Sequence, residues 1–217
     1  MTTSELAAPT TGGRILHAVT EVVPPDEIEH VIDRVGAIAA ATDLLTALGR
    51  DIDSPHLADT PRRFADALIE MLTPRPFSPT TFPNDDGYDE LVVVADIPFH
   101  SLCEHHLLPF RGVAHVGYVP GDRLIGLSKL ARIVEQYTRD LQVQERLTRR
   151  IADWLVEVLD PRGVGVVVEA EHSCMSLRGV QVEGTRTVTS TLVGVVREDE
   201  RTRGEFLTRC GLRGTEG

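Results

Sequence analysis

The 217-residue sequence has no surplus of basic residues: 22 Lys and Arg stand against 33 Asp and Glu, a formal net charge of -11. That excludes the broad cationic surface on which affinity for nucleic acid or an anionic membrane rests, so any polyanionic ligand has to meet a local basic pocket. Cysteine is scarce as well. Cys103, Cys174 and Cys210, at wide and unequal spacing, make no disulfide framework and fit a reducing cytoplasm. No apolar run reaches the length needed to span a bilayer, and the polar N-terminal stretch shows no apolar core behind a basic start. The expectation is a soluble, cytoplasmic, untargeted protein without nucleic-acid or membrane partners. There is no internal repeat.

What is present is an ordinary globular composition, 41% hydrophobic and 25% charged, enough for one domain with a sizeable core. Residues 1–23 mix Thr, Ala, Pro and Gly without periodicity and read as a disordered tail. Residues 24–73 read as a helical arm. In its first helix Ile28, Val31, Ile32, Val35, Ile38 and Leu45 share a stripe closed by Gly49. In its second, Thr60 is the expected N-cap with Pro61 in the first turn, and Phe64, Ala67, Leu68 and Met71 repeat until Pro74. Residues 74–88 read as a surface loop.

Strands are expected at 91–97 and 113–119, the latter closed by Pro120-Gly121-Asp122. Helices follow at 127–137, with Leu127, Leu130, Val134 and Tyr137 on one face, and at 143–159, with Val143, Leu147, Ile151, Trp154, Leu155 and Val158. Asp160-Pro161-Arg162-Gly163 ends the second, and strands at 164–170 and 186–196 complete the chain. This order suits an α+β domain, an antiparallel sheet with helices on one face. Its open edges invite pairing with further subunits.

The chemistry gathers at strand ends. Cys103-Glu104-His105-His106 follows one strand, and a Cys-x-x-His pair there can reach a single metal ion. Glu171-His172-Ser173-Cys174 stands at the end of another. Singly, each cysteine reads as a small core residue and His106 as a surface histidine. Jointly, Cys103, His106 and Cys174 supply three zinc ligands, the count of a catalytic site that keeps a fourth position for water. His105 and His172 remain free for proton transfer, and a strand continuing through Cys174 would turn His172 to the same face. Cys210 and the histidines at 17, 30, 56, 100 and 115 carry no partner motif.

The run Cys103-Glu-His-His106, then Gly126-Leu-Ser-Lys129, Gln142-Val-Gln-Glu-Arg-Leu147, and His172-Ser-Cys174 through Arg178-Gly179, resembles the GTP cyclohydrolase I family. The resemblance spans roughly residues 60–207 and makes 74–217 the catalytic domain. It implies a tunnelling fold, with sheets joined between subunits into a barrel, two five-membered rings stacked into a homodecamer, and active sites between chains. It further implies that Cys103, His106 and Cys174 bind Zn2+, whose water attacks carbon 8 of guanine. His105 and His172 would be the acid/base pair of a reaction that turns GTP into 7,8-dihydroneopterin 3'-triphosphate and formate, through ring opening, an Amadori rearrangement and closure. That is the first step of folate and pterin synthesis.

Glu145 would anchor the two adjacent N–H donors of guanine, with Gln144 assisting. Taken alone, Glu145 reads instead as a helix-face partner of Arg149 at i,i+4. Ser128, Lys129, Arg132, Arg178 and, from a neighbouring subunit, Arg63 would hold the triphosphate. Met175-Ser176-Leu177 departs from the family, where a larger or basic residue often stands near Ser176. Two other readings compete: an epimerase-like relative acting on dihydroneopterin triphosphate, which would lack the zinc ligands, and a non-catalytic zinc or nucleotide-binding module, which would want a fourth ligand.

Overall fold

The computed structural model describes residues 31–212; the expected 1–23 tail, Ile28, His17 and His30 lie outside the described residues. In chain order the elements are α1 (Arg34–Ala47), α2 (Thr60–Met71), β1 (Thr81–Pro83), β2 (Val92–Cys103), β3 (Pro109–Val119), β4 (Arg123–Ile125), α3 (Leu127–Thr138), β5 (Leu141–Gln142), α4 (Gln144–Leu159), β6 (Gly163–His172), α5 (Ser173–Ser176), β7 (Thr187–Gly194), α6 (Val195–Glu198) and α7 (Glu200–Arg209).

The long strands form one sheet in the order β5-β2-β3-β6-β7. Every long pair in it is antiparallel, and only the two-residue β5 runs parallel to β2. β1 and β4 make a small antiparallel pair apart from it. Against one face of the main sheet lie α3 and α4. Leu130, Ile133 and Val134 of α3 and Leu147, Ile151 and Leu155 of α4 pack with Ala114, Val116, Val164, Val166 and Val168 of β3 and β6 as the main core. The 3.6-residue period of the helices and the two-residue period of the strands meet there, which is why both patterns were legible.

A second, smaller cluster covers part of the opposite face, which the sequence reading left without helices. Phe206 of α7 packs there with Leu91, Val119, Val167, Val196 and Cys210. Phe206 lies over Gly117 and Gly165, which face each other across β3 and β6. A Cβ on Gly165 would stand 2.6 Å from the ring, so this pair of glycines makes the seat for the aromatic side chain.

β2 carries a bulge. Val92, Val93 and Val94 pair with Tyr118, Gly117 and Val116, but Ile97 pairs with Ala114, so β2 holds one residue more than its partner. Asp96 takes up the excess at φ 56, in the left-handed region that few non-glycine residues adopt. Before the bulge Val92 and Val94 face the main core; after it Ile97, Phe99 and Cys103 do. The alternation has shifted by one.

Several expected boundaries move. α1 starts at Arg34, because the Asp33 carboxylate accepts from the Gly36 N–H and caps the helix there. Val31 and Ile32 therefore precede it, Val35 is 76% exposed, and Ala41 is the buried residue of α1. The N-cap of α2 is Asp59 rather than Thr60, with Pro61 still in the first turn. The 74–88 loop contains β1. Leu127 opens α3 on its exposed side. The final expected strand ends at Gly194, where φ 56 and the close Arg162 carbonyl exclude a side chain, and Val195 and Val196 belong to α6.

Candidate active site

β2 delivers Cys103 at its last position, and the chain then turns tightly. The Leu107 N–H donates to the Cys103 carbonyl at 2.8 Å, and the Cys103 N–H donates to the Leu108 carbonyl at 2.9 Å. This turn swings His106 back until its Nδ1 lies 3.7 Å from Cys103 Sγ. On the far side β6 ends at His172 and passes directly into α5, which carries Cys174. The expected continuation of the strand through Cys174 is thus replaced by a single helical turn.

One ligand atom from each of Cys103, His106 and Cys174 falls within 4.8 Å of the others. The Cys174 thiol is pushed above its ordinary pKa, first by burial and then by the neighbouring Cys103. Two thiols side by side resist ionisation unless a cation joins them, and a thiolate must be deprotonated to bind metal. A dication fits this donor set: two sulfurs and one imidazole suit zinc, and three protein donors leave one position open. Cys210 is elsewhere, buried at the C-terminal end of α7 in the second cluster.

His172 stands beside the cluster with its ring stacked on Phe110, centroids 4.5 Å apart and planes 6° from parallel. Register explains the pairing, since Phe110 of β3 faces His172 of β6 directly. Burial pulls the His172 pKa below its ordinary value, against the opposing effect of the Glu145 carboxylate. Its Nε2 lies 2.7 Å from Gln144 Oε1. Gln144 itself is 2% exposed, and its amide nitrogen reaches the Val168 and Thr187 carbonyls, each at 3.0 Å, and Thr189 Oγ1 at 3.2 Å. The expected help of Gln144 in holding guanine meets an amide already committed to the sheet and to His172.

Glu145, one residue on, is exposed in the first turn of α4. The i,i+4 partnership weighed for it does not form: Arg149 turns to Asp153, donating from Nε at 2.7 and 2.8 Å. His105 is exposed on the Cys103–His106 turn, edge-on to His106. The family model of GTP cyclohydrolase I matches residues 37–211, which contain every one of these side chains.

The chain belongs to the GTP cyclohydrolase I family.

Curated relatives named GTP cyclohydrolase 1 agree: one from Synechococcus sp. is 54% identical over 79% of this chain and 76% of its own. One from Mycobacteroides abscessus is 52% identical over 82% of this chain and 90% of its own, and one from Rattus norvegicus 48% identical over 85% and 78%.

The residues that the GTP cyclohydrolase I resemblance assigns to the triphosphate are placed unequally. Ser128 and Lys129 lie in the first turn of α3, where backbone N–H groups favour an anion. Lys129 is the sole lysine of the sequence, and its Nζ rests over the Phe77 ring, 5.9 Å from the centroid. Arg132 is tied to Glu135 at 2.9 Å, and Glu135 also takes Arg75 and Arg139. Arg178 approaches the Cys103, His106 and Cys174 cluster, with Nη1 3.4 Å from His106 Nε2. Arg63 pairs with Asp59 on α2 at 3.1 Å, and no hydrogen bond or ion pair among the described residues links it to the cluster.

The sequence reading passed over Phe110, Thr148 and Thr189, which support His172 and Gln144, and the ion pair of Arg146 with Glu104. Glu104 and Arg146 stand inside two of the motifs already quoted, so motif membership was a usable signal for them; Phe110 and the threonines offer none. Of the other described histidines, His56 and His100 are exposed, while His115 is buried between the Asp96 N–H and the Glu169 carboxylate.

Proposed function

We propose that this chain is a zinc-dependent GTP cyclohydrolase I, hydrolysing GTP to 7,8-dihydroneopterin 3'-triphosphate and formate at the entrance to tetrahydrofolate and pterin synthesis. The observation that carries it is the convergence of Cys103, His106 and Cys174 within 4.8 Å, with His172 two residues before Cys174 and the Glu145 carboxylate close enough to act on His172. Zinc held by Cys103, His106 and Cys174 would supply a Lewis acid and, by lowering the pKa of a water to roughly 7, the nucleophile that hydrolysis at guanine carbon 8 needs.

The chain's own residues do the rest. Glu145 is exposed and accepts the paired N–H donors of guanine, which orients the imidazole ring toward the ligand cluster. His172 and His105 move protons at the ring nitrogens as the ring opens and formate leaves. Ser128, Lys129, Arg132 and Arg178 bind the triphosphate, and Arg63, which no hydrogen bond or ion pair among the described residues links to the cluster, serves a neighbouring chain. The acidic surface elsewhere leaves this cluster as the place where a polyanion is welcome.

Shared sites require assembly, and the homodecamer of two pentamers belongs to the same proposal. Two features support it. β7 is the last strand of its sheet, and a cleft of about 520 Å³ between α1 and α2, lined by Ile32, Ala41, Leu44, Phe64 and Leu68, is open and apolar. Among the described residues no helix is long and apolar enough to cross a membrane, in keeping with a cytoplasmic enzyme.

Incubating the purified protein with GTP tests the reading. Formate release, a product that becomes a fluorescent pterin on oxidation, and one zinc per chain are expected. Zinc-loaded protein that releases no formate would sink it.

A further inference from the structure

The hydrogen-bond directions around Gln144 can be worked out in sequence. The Thr148 hydroxyl donates to the Gln144 backbone carbonyl at 2.8 Å, so its oxygen is left to accept from Thr189, 2.6 Å away. With its proton spent on Thr148, Thr189 Oγ1 accepts from the Gln144 amide. The same amide nitrogen faces two backbone carbonyls, of Val168 and Thr187. Turning the amide over would set its oxygen against both carbonyls, so the orientation is fixed and Oε1 points at His172 Nε2. An amide oxygen only accepts; Nε2 must therefore carry the proton. Phe110 holds the plane of the ring meanwhile.

We infer that Gln144 is a positioning residue, which keeps His172 protonated on Nε2 and leaves Nδ1 as the nitrogen that gives and takes protons. Gln144 does so as part of the fold, its amide spanning the end of α4, β6 and β7, and not as a guanine contact. The same logic orients metal-ligating and catalytic histidines wherever a neighbour fixes one ring nitrogen. The catalytic half of the inference rests on the function proposed above; the tautomer does not.

The test is long-range proton–nitrogen correlation of the zinc-loaded protein carrying nitrogen-15 histidine, without GTP, the His172 signals being identified by their loss in His172→Asn. The parent protein should show His172 protonated on Nε2 alone, and Gln144→Leu should show a mixture of the two forms. In formate release, Gln144→Leu should lose about 10- to 100-fold in kcat with KM for GTP unchanged. A parent His172 protonated on Nδ1 overturns the inference, as does a Gln144→Leu protein with raised KM and unaltered kcat, the behaviour of a guanine contact. Should Gln144→Leu fail to fold, Thr189→Val removes one member of the amide's shell, and the parent spectrum decides by itself. A protein with the expected spectrum and no formate release would refute the proposed function and leave the positioning standing.

Discussion

At the scale of single residues, the Cys103, His106 and Cys174 cluster was legible because ligand chemistry is written in residue type and short spacing. Cys103 and His106 are three apart, and the turn between them only has to fold back. Gln144 was not legible: its partners lie 24, 43 and 45 residues away, and no local pattern announces which of them it will reach. Arg149 shows the same limit at close range, since it sits four residues from both Glu145 and Asp153 and the structure takes Asp153. Replacing Cys174 by Ala should remove the metal and depress formate release at least about 100-fold, beyond the usual loss on disturbing an outer-sphere partner. Metal content and activity are measured together; full zinc with full activity would place the site elsewhere. Cys210 makes a different prediction. Burial, and after it the charges of Asp96 and Glu169, push its thiol from 9.0 to about 12. The folded state thus holds the proton that the unfolded chain releases near pH 9.0, so this contribution is intact below that pH and is lost as pH rises toward about 12. Urea unfolding on either side of pH 9.0 should show stability falling by up to about 1.4 kcal/mol per pH unit, and Cys210→Ala should flatten the decline.

At the scale of elements, α3 and α4 and the cores of the long strands follow their sequence periods closely, because each buries one face against the other. α1 does not. Its apolar stripe meets little within the chain, and Asp33 rather than the stripe decides where the helix starts. α7 escaped notice for the opposite reason: a single buried aromatic, Phe206, anchors it, and one residue makes no period. Its seat on Gly117 and Gly165 is a tertiary match that neither segment displays alone. Phe206→Ala should cost about 3–5 kcal/mol in denaturant unfolding. Gly165→Ala, which presses a methyl group into the ring, should cost about 1–3 kcal/mol. If both variants unfold like the parent, α7 is not held by this contact.

At the scale of the whole molecule, the α+β architecture follows from the order of the elements, while the assembly proposed for it rests on faces that a single chain leaves open. Arg63 belongs to that scale, because the role proposed for it is to reach a triphosphate held by a neighbouring chain. The bulge in β2 acts at this scale too, although it occupies one residue. A pleated strand counts in twos, and Asp96 changes the count from even to odd between Val94 and Ile97. Without a bulge to absorb that extra residue the side chain of Cys103 would fall on the face that bears Phe206, with the sheet between it and Cys174. Deleting His100, between the bulge and Cys103, should therefore leave a folded protein, seen as retained secondary structure by circular dichroism, that no longer binds zinc, whereas deleting Asp96 removes the bulge together with its extra residue and keeps Cys103 on its face; retained zinc in the first variant would show that β2 had found another way to turn. A length change far from any ligand is, in this protein, equivalent to losing one, so β2 tolerates exchanges of residue more readily than insertions or deletions between its bulge and its end.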